Sequence, residues 1–416
     1  MKEMPPPGRS AVTPAPDRPD RSATADTSRR SDIDGFMVMD VMNAAAAREQ
    51  AGHHIIHMEV GQPGTPAPET ARNALRNAID TDNLGYTLAL GSDSLRRRIA
   101  RHYRDSYDVE VDPARIIVTS GSSGAFILAF TALFDAGARI ALPSPGYPCY
   151  RHILTTLDLV PELIETSANG RWMPTSRDIE EADLRSRLAG ILVASPANPT
   201  GTMLEPTRLS ELVETSRRLG LWFISDEIYH GLTYEVPAAT ALAYSQDAIV
   251  INSFSKYFSM TGWRVGWMVV PERCIRVFER LAQNLFICAP SASQAAALGA
   301  FDGGAELEAN KRTYAVNRDL LLRELPKAGF DKIVPADGAF YLYCDISDFG
   351  LDSPELCRRI LDDAGVAITP GVDFDPVRGG RYVRFSYARA TPDIVEAARR
   401  LIAWRQTFAP APPAAR

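Results

Sequence analysis

The sequence predicts an α/β protein built on a mostly parallel sheet that helices cover on both faces. The first observation is a series of short apolar runs, typical of buried strands, that alternates with longer helical patterns. One such pattern is Thr207–Leu219, which Gly220 ends. The second observation is that a turn or loop rich in Gly, Ser, Pro or Asn follows most runs, at the sheet edge where ligands bind in this class of fold. The runs are Ile116–Thr119, Arg139–Leu142, Gly190–Ala194, Leu221–Ser225, Ala248–Asn252 and Val265–Val270.

Length and composition set the broad class. The 416 residues correspond to roughly two or three units of about 150 residues. The net charge of −6 does not favour nucleic acid or an anionic membrane as a partner. No stretch approaches the roughly 20 apolar residues of a membrane span. Five scattered cysteines without a CxxC pair indicate reduced thiols, so we expect a cytoplasmic protein without a metal site.

The two ends of the chain and one late strand complete the predicted organisation. Residues 1–30 contain six prolines and few bulky apolar side chains, so we expect a disordered tail. Residues 409–416 form a second Pro/Ala tail. The alternating pattern of Tyr382–Ala388 predicts a half-buried strand, which indicates a second, smaller α+β domain.

The first group of residues that could carry chemistry surrounds a lysine. Lys256 lies four residues after the run Ala248–Asn252, with Ser253 and Ser255 before it and Arg264 eight residues after it. A desolvated amine at a strand end has a lowered pKa and attacks aldehydes. The serines and the arginine could bind a phosphate. A lysine in a serine-rich loop is, however, usually only solvated.

A second group follows another predicted strand. Asp226 comes directly after Leu221–Ser225, and Tyr229 lies three residues later. A buried carboxylate needs a cationic partner, and a protonated pyridine nitrogen is one. Tyr229 could then bind a ring hydroxyl. The alternative is a helix cap followed by an acidic first turn.

Three more loops follow strands. Asn198 lies in a turn from which its amide could reach a ligand oxygen, although Asn, Pro and Gly also form ordinary turns. Ser120–Gly124 precedes a helical run, so Ser122 and Ser123 could help to form a phosphate-binding cup, or only a flexible connection. Tyr147 lies between prolines and could stack on an aromatic cofactor, or occupy a surface turn.

Together these residues resemble the class I and II aminotransferases, the fold-type-I pyridoxal-phosphate enzymes of the aspartate aminotransferase superfamily, from about Ser31 to Ala403. The resemblance implies a large domain, residues 76–313, with a mostly parallel seven-stranded sheet, and a smaller domain made of residues 31–75 and 314–408. Each motif alone is weak, but their order is specific to the family. In order, the motifs are Gly61-Gln62-Pro63, Tyr86, Ser120–Ser123, Pro145-Gly146-Tyr147, Asn198-Pro199-Thr200-Gly201, Asp226-Glu227-Ile228-Tyr229, Ser253-Phe254-Ser255-Lys256, Arg264 and Arg384.

The resemblance implies roles around pyridoxal 5'-phosphate. Lys256 would hold the cofactor as a Schiff base and move the proton between substrate and cofactor. Asp226 would pair with the pyridine nitrogen, and Tyr229 would hold the ring oxygen together with Asn198. Tyr147 would stack on the ring. The phosphate would be bound by Ser122, Ser123, Ser253 and Arg264.

The resemblance also implies the partners, which are an amino acid, a 2-oxo acid and a second copy of the chain. Tyr86 would reach the phosphate in the other subunit, so we expect a homodimer with shared sites. Arg384 would bind the substrate α-carboxylate, helped by Gly61 and Asn198. The stretch Ser31–Val38, with Ile33, Gly35 and Phe36, would line the side-chain pocket.

Two departures from the family pattern concern specificity and a loop. Thr131 stands where aspartate-preferring bacterial members often carry a lysine. We therefore expect activity on neutral or aromatic amino acids, with 2-oxoglutarate as acceptor, rather than a fixed preference for aspartate. Asp375 stands where the family often has glycine, which affects the geometry of that loop.

Two other functions fit the same motifs. A lyase or cyclase of this fold would share the cofactor site, and the motifs do not distinguish it from an aminotransferase. A pyridoxal-phosphate-sensing regulator would need a DNA-binding module, and residues 1–30 are too short and proline-rich for a helix-turn-helix.

Overall fold

The computed structural model describes residues 27–408, so most of the first tail and all of the second lie outside the described residues. Within that range the strands are β1 Ile56–His57, β2 Ile116–Thr119, β3 Arg139–Ser144, β4 Val160–Glu165, β5 Gly190–Ala194, β6 Trp222–Asp226, β7 Ile249–Ser253, β8 Gly266–Val269, β9 Lys332–Ile333, β10 Tyr341–Asp345, β11 Val366–Ala367, β12 Thr369–Pro370 and β13 Tyr382–Ser386.

The helices cover the sheets and connect their strands. They are α1 Met37–Gln50, α2 Glu69–Thr81, α3 Asp93–Tyr107, α4 Gly121–Leu133, α5 Pro148–Thr156, α6 Ser176–Ser186, α7 Pro206–Leu219, α8 Ile275–Leu285, α9 Ser291–Ala300, α10 Gly304–Glu324, α11 Ser353–Ala364 and α12 Thr391–Thr407. Local chemistry explains several ends. Proline at the first position favours the start of α7, and Gly220 with φ +71° ends it.

The large sheet has seven strands in the order β2-β8-β7-β6-β5-β3-β4. All neighbours are parallel except β8, which runs antiparallel to both β2 and β7. Its strands are buried on both faces: Ile116 and Val118 belong to one apolar core, and Ile117 belongs to the core on the opposite side. The predicted fold class, an α/β protein with a mostly parallel seven-stranded sheet, is confirmed.

A smaller α+β region packs its own core. It contains the antiparallel sheet β12-β13-β10-β9 and the parallel pair β1-β11. Side chains of β10, β13 and α12 share a third apolar core. Because β13 lies between β10 and β12, every residue of this strand after Tyr382 is buried. The prediction of a half-buried strand at Tyr382–Ala388 was therefore wrong about its solvent exposure. The observed strand also ends two residues earlier, at Ser386.

Two further features of the fold concern its helices. The helix after β2 begins at Gly121 rather than at Ala125, so the serines of the expected loop lie in the first helical turn. No helix within residues 27–408 is long and apolar enough to cross a membrane.

Candidate active site

A cavity of about 230 Å³ lies at the carboxyl ends of β2, β5, β6 and β7, facing the smaller region. Nine sequence-predicted residues line it: Gly61, Ser122, Ser123, Tyr147, Asn198, Tyr229, Lys256, Arg264 and Arg384. They come from positions as far apart as 61 and 384. The fold therefore brings together the loops that sequence reasoning treated one at a time.

Lys256 lies just beyond β7, with its amine inside the cavity. Its Nζ donates a hydrogen bond to the carbonyl oxygen of Gly61 at 2.6 Å. Burial lowers the pKa of Lys256 to about 8, and the positive charges of Arg384 and Arg264 act in the same direction. A substantial neutral fraction near pH 8 makes this amine a nucleophile.

Asp226 is the last residue of β6 and is 1% exposed. Its Oδ1 accepts the Ile228 N–H at 3.1 Å, and its Oδ2 accepts the Tyr150 hydroxyl. Burial raises the pKa of Asp226 to about 6, although these hydrogen bonds and Lys256 oppose the rise. Within residues 27–408 no cationic side chain forms an ion pair with it. A buried carboxylate of this kind fits a cationic ring nitrogen.

Tyr229 presents a protonated hydroxyl, because burial raises its pKa. This hydroxyl lies 2.7 Å from that of Tyr341 on β10. Gly61 is required opposite these rings, since a Cβ at this position would lie 2.8 Å from Cζ of Tyr341. The pair can donate to a phenolate oxygen of a ring in the cavity.

Arg384 lies on β13 and is 1% exposed. Its guanidinium donates to Asn198 Oδ1 at 2.9 Å, to the Glu59 carbonyl and to Thr369 Oγ1 at 3.1 Å. It lies 4.7 Å from the centre of the Phe374 ring. Among the described residues no carboxylate forms an ion pair with it, and its Nε has no partner. A buried guanidinium with free donor capacity fits a bound carboxylate.

The start of α4 forms an anion-binding cradle. Gly121 has φ +72°, and a Cβ there would lie 2.8 Å from Cζ of Arg264. Only glycine therefore lets the guanidinium approach the helix N-terminus this closely. The N–H groups of the first turn, the hydroxyls of Ser122 and Ser123 and the arginine together fit a phosphate.

Four predicted residues lie outside the cavity lining. Asp226 lies directly behind Tyr150, which lines the cavity and donates its hydroxyl to the Asp226 carboxylate. Ser253 is 1% exposed, and its hydroxyl donates to Ser255 at 2.8 Å and to the Val265 carbonyl at 3.2 Å. Its hydroxyl supports the loop, and Ser255 lines the cavity. Tyr86 and Ile33 are 87% and 42% exposed, respectively, and neither lines the cavity of its own chain.

Sequence reasoning missed several residues of the site. Tyr150, one turn into α5, could have been found from its spacing of three residues after Tyr147. No local sequence motif marks Tyr341, because its place in the site depends on the pairing of β10 with the distant strand β13. In the expected pocket segment Ser31–Val38, Phe36 lines the cavity as expected and Val38 joins it, whereas Ile33 and Gly35 do not line it.

Comparisons with known proteins agree with this geometry. Residues 53–402 match the family model described as aminotransferase class I and II. A valine–pyruvate aminotransferase of Mycobacterium tuberculosis is 45% identical over 379 residues, which cover 90% of this chain and 97% of the relative.

Solved structures give the same result. An aminotransferase from Mycobacterium tuberculosis matches with a TM-score of 0.90 and 44% identity, covering 92% of this chain and 100% of that one. An aspartate aminotransferase from Thermus thermophilus, solved with maleate, matches with a TM-score of 0.86 and 27% identity over 91% of this chain and 100% of the other. The chain belongs to the class I and II aminotransferases, enzymes that move an amino group between an amino acid and a 2-oxo acid.

Proposed function

We propose that this enzyme uses pyridoxal 5'-phosphate, held by Lys256, to transfer the amino group of a neutral L-amino acid to a small 2-oxo acid. The observation that carries the proposal is a pair of unmatched buried charges: the Arg384 guanidinium lines the cavity, and the Asp226 carboxylate lies directly behind the lining residues Tyr150 and Ile228. Asp226 lacks a cation and Arg384 lacks an anion, and the nucleophilic amine of Lys256 shares the cavity. A cationic pyridine ring and a substrate carboxylate would satisfy both.

The residues of the site fit the cofactor. Asp226 would hold the ring nitrogen in its protonated form, and Tyr229 with Asn198 would bind the ring oxygen. Tyr147, whose ring contacts Phe36 edge-on at 6.0 Å, would lie against the ring face. The phosphate would be bound by the cradle at α4: Ser122, Ser123, Ser255 and Arg264, with Ser253 supporting Ser255.

The chain's own groups account for the steps of the reaction. Pyridoxal phosphate, when bound, would supply a carbonyl-derived carbon that exchanges its bond to Lys256 Nζ for one to the substrate nitrogen, and a protonated ring that accepts electrons from substrate Cα. Arg384 orients the substrate through its carboxylate, with Asn198 and the backbone of Gly61 beside it. Once free of the cofactor, Lys256 Nζ would take the proton from Cα and return it to the cofactor carbon that is bonded to the substrate nitrogen, acting as general base and acid. Its lowered pKa suits this double role near neutral pH.

The walls of the cavity favour a neutral side chain. Phe36, Val38 and Met39 lie on one side, and Val60 lies near Gly61. The cations lining the cavity in this protomer are Lys256, Arg264 and Arg384, which already have roles. A second substrate carboxylate would therefore be buried without a partner. The relative named valine–pyruvate aminotransferase supports a small aliphatic donor with pyruvate as acceptor.

A donor panel tests this substrate class. With pyruvate or 2-oxoglutarate as acceptor, we expect valine, alanine or another neutral amino acid to give the highest kcat/KM. Aspartate should be no better than the best of them. A kcat/KM for aspartate about a hundredfold above every neutral donor would contradict the proposal, because it requires about 2.7 kcal/mol of selective binding to the distal carboxylate. Identifying the 2-oxo product by mass spectrometry separates transamination from elimination or cyclisation.

We also propose that the enzyme is a cytoplasmic homodimer with shared active sites. We propose that residues 76–313 form the large domain and that residues 31–75 and 314–408 together form the small domain. Tyr86 supports the dimer because its side chain is exposed, while its two neighbours in the chain are hydrogen-bonded to helix α9. The Ser291 hydroxyl donates to the Gly85 carbonyl, and the Gln294 amide donates to Thr87 at 3.0 Å. A large aromatic ring held outward in this way suits a contact with a second chain.

Subunit mixing tests the shared site. Lys256→Ala and Tyr86→Ala dimers should each be inactive or nearly so. Equal mixing should place one intact site in each heterodimer and restore about a quarter of wild-type activity per protomer. Differently tagged subunits report exchange independently. Demonstrated exchange without any gain in activity would rule out a contribution of Tyr86 across the interface.

A further inference from the structure

The first turn of α1 forms part of the cavity wall but lacks a cap of its own. Val38 and Met39 line the cavity from this turn. The residue at the N-cap position is Phe36, whose side chain accepts no hydrogen bond. The first N–H groups of a helix need acceptors from elsewhere. Without one, this end of the helix would fray and the wall would be poorly defined.

The missing acceptor comes from the other end of the chain. Asp373 is 2% exposed, and its Oδ1 accepts the Met37 N–H at 3.4 Å. The Val38 N–H also lies close enough to this carboxylate to lower its pKa. Its Oδ2 has no partner among the described residues. A carboxylate at a helix N-terminus is favoured both as an acceptor and by its charge.

The segment that carries Asp373 is tied to the rest of the site. The Asp373 carbonyl accepts a hydrogen bond from Arg151 of α5 at 2.8 Å. The next residue, Phe374, packs its ring against the guanidinium of Arg384, and its carbonyl accepts the Gly146 N–H at 3.0 Å. Asp373 therefore joins the wall that faces the substrate side chain to the residues that bind the carboxylate and flank the ring.

We propose that Asp373 is a positioning residue that fixes the first turn of α1 over the cavity and thereby sets the selectivity for the substrate side chain. This inference rests on the proposed function. Asp373 acts through Val38 and Met39, which line the cavity. A branched side chain would bury more apolar surface against this wall than a single methyl group. Loosening the turn weakens binding of a larger donor more than binding of alanine.

The charge of Asp373 has a separate effect, which the test must distinguish. Burial raises the pKa of this carboxyl, and the nearby Arg384 opposes the rise. Removing the charge alters the field at Arg384, which binds the carboxylate that all donors share. That effect changes kcat/KM by a similar factor for every donor. Displacing the wall changes the ratio between donors.

The experiment compares Asp373→Ala with Asp373→Asn in the cofactor-loaded enzyme. The alanine variant removes the acceptor, and asparagine removes only the charge, because its amide oxygen can still cap the helix. We expect the alanine variant to lower the ratio of kcat/KM for valine over alanine about fivefold or more. The asparagine variant should keep that ratio within about twofold of wild type.

Hydrogen exchange gives a second readout that needs no substrate. Amides in a peptide covering residues 37–41 should exchange at least about threefold faster in Asp373→Ala than in wild type, with Asp373→Asn close to wild type. If the alanine variant does not fold, Asp373→Ser replaces it, since its shorter side chain loses the reach to Met37. An unchanged donor ratio and unchanged exchange in the folded variant would overturn the inference.

The proposed function can fail separately. If the wild-type enzyme showed no transamination of any neutral donor, the substrate class would be wrong. The exchange measurement would still decide whether Asp373 holds α1. If wild type transaminates valine and alanine but both variants shift them equally, Asp373 acts only through its charge on Arg384, and the positioning role is wrong.

Discussion

Lys256→Ala is expected to reduce transamination to the background of the assay. The amine it removes is the group that would hold the cofactor and move the proton at substrate Cα. No other lysine is placed to replace it among the described residues, because Lys311, Lys327 and Lys332 form ion pairs with glutamate or aspartate on the surface. The measurement is kcat with valine and pyruvate at saturating cofactor. The rest of the site is intact, so the cofactor should still bind through the phosphate cradle.

Covalent labelling distinguishes a lost amine from a damaged fold. Borohydride treatment of the cofactor-loaded wild type should fix the pyridoxyl group on the peptide that contains Lys256. The chain has five lysines, so peptide mapping can examine each of them. Lys256→Arg is the matched control, since it keeps a positive charge but not a nucleophilic amine. A label on Lys311 or another lysine, or turnover in the alanine variant, would show that the assignment is wrong.

Much of the site could be predicted because its residues follow strands. A parallel sheet places the ends of its strands at one edge, so Asp226 and Lys256, separated by thirty positions, are expected near one another. Composition alone leaves each loop ambiguous. The ordered motifs removed the ambiguity only by resemblance to a family.

The site residues that could not be predicted depend on contacts between segments that are distant in sequence. Asp373 caps a helix more than 330 residues before it, and Tyr341 reaches Tyr229 only after β10 has paired with β13. Local patterns carry no information about such pairs. The exposure of β13 was misjudged for the same reason. An alternating pattern predicts one solvent-exposed face, but the polar residues Arg384 and Ser386 of β13 are both buried, and Arg384 lines the cavity.

Asp226→Asn is expected to lower kcat by about 10² to 10³, the equivalent of losing a buried charge pair worth about 3–4 kcal/mol. The carboxylate would keep the cofactor ring nitrogen protonated, and a neutral amide cannot. Tyr150 and Ile228 can still hydrogen-bond to asparagine, so the fold should survive. Visible absorbance of the loaded enzyme checks that cofactor is present. Turnover within about threefold of wild type would show that another group protonates the ring.

Although Asp226→Asn should lower kcat, it should raise the free energy of unfolding of the cofactor-free protein. The pKa of Asp226 rises from an ordinary 3.8 to about 6 on folding. Between these values the unfolded chain binds fewer protons than the folded one, so this group lowers the stability of the folded state as pH rises. Above about pH 6 the penalty is on the order of 2–3 kcal/mol. The cofactor-free asparagine variant should therefore be more stable than wild type at neutral pH, with the difference vanishing below about pH 4.

The adjacent residue supplies the matched control for both measurements. Glu227 is also fully buried, and burial raises its pKa to about 7. Tyr150 and Ile228, which bond to Asp226, line the cavity, whereas the hydrogen-bond partners of Glu227 do not. Its carboxylate accepts hydrogen bonds from Ser225, Thr240 and the Ala241 N–H. Glu227→Gln should likewise increase cofactor-free stability at high pH, as urea denaturation can measure, because glutamine avoids burying a charge. Its kcat should remain within about threefold of wild type, since of the two carboxylates only Asp226 would pair with the ring nitrogen. Equal losses of turnover in the two variants would mean that Asp226 matters only as a buried carboxylate, without a specific role at the ring nitrogen.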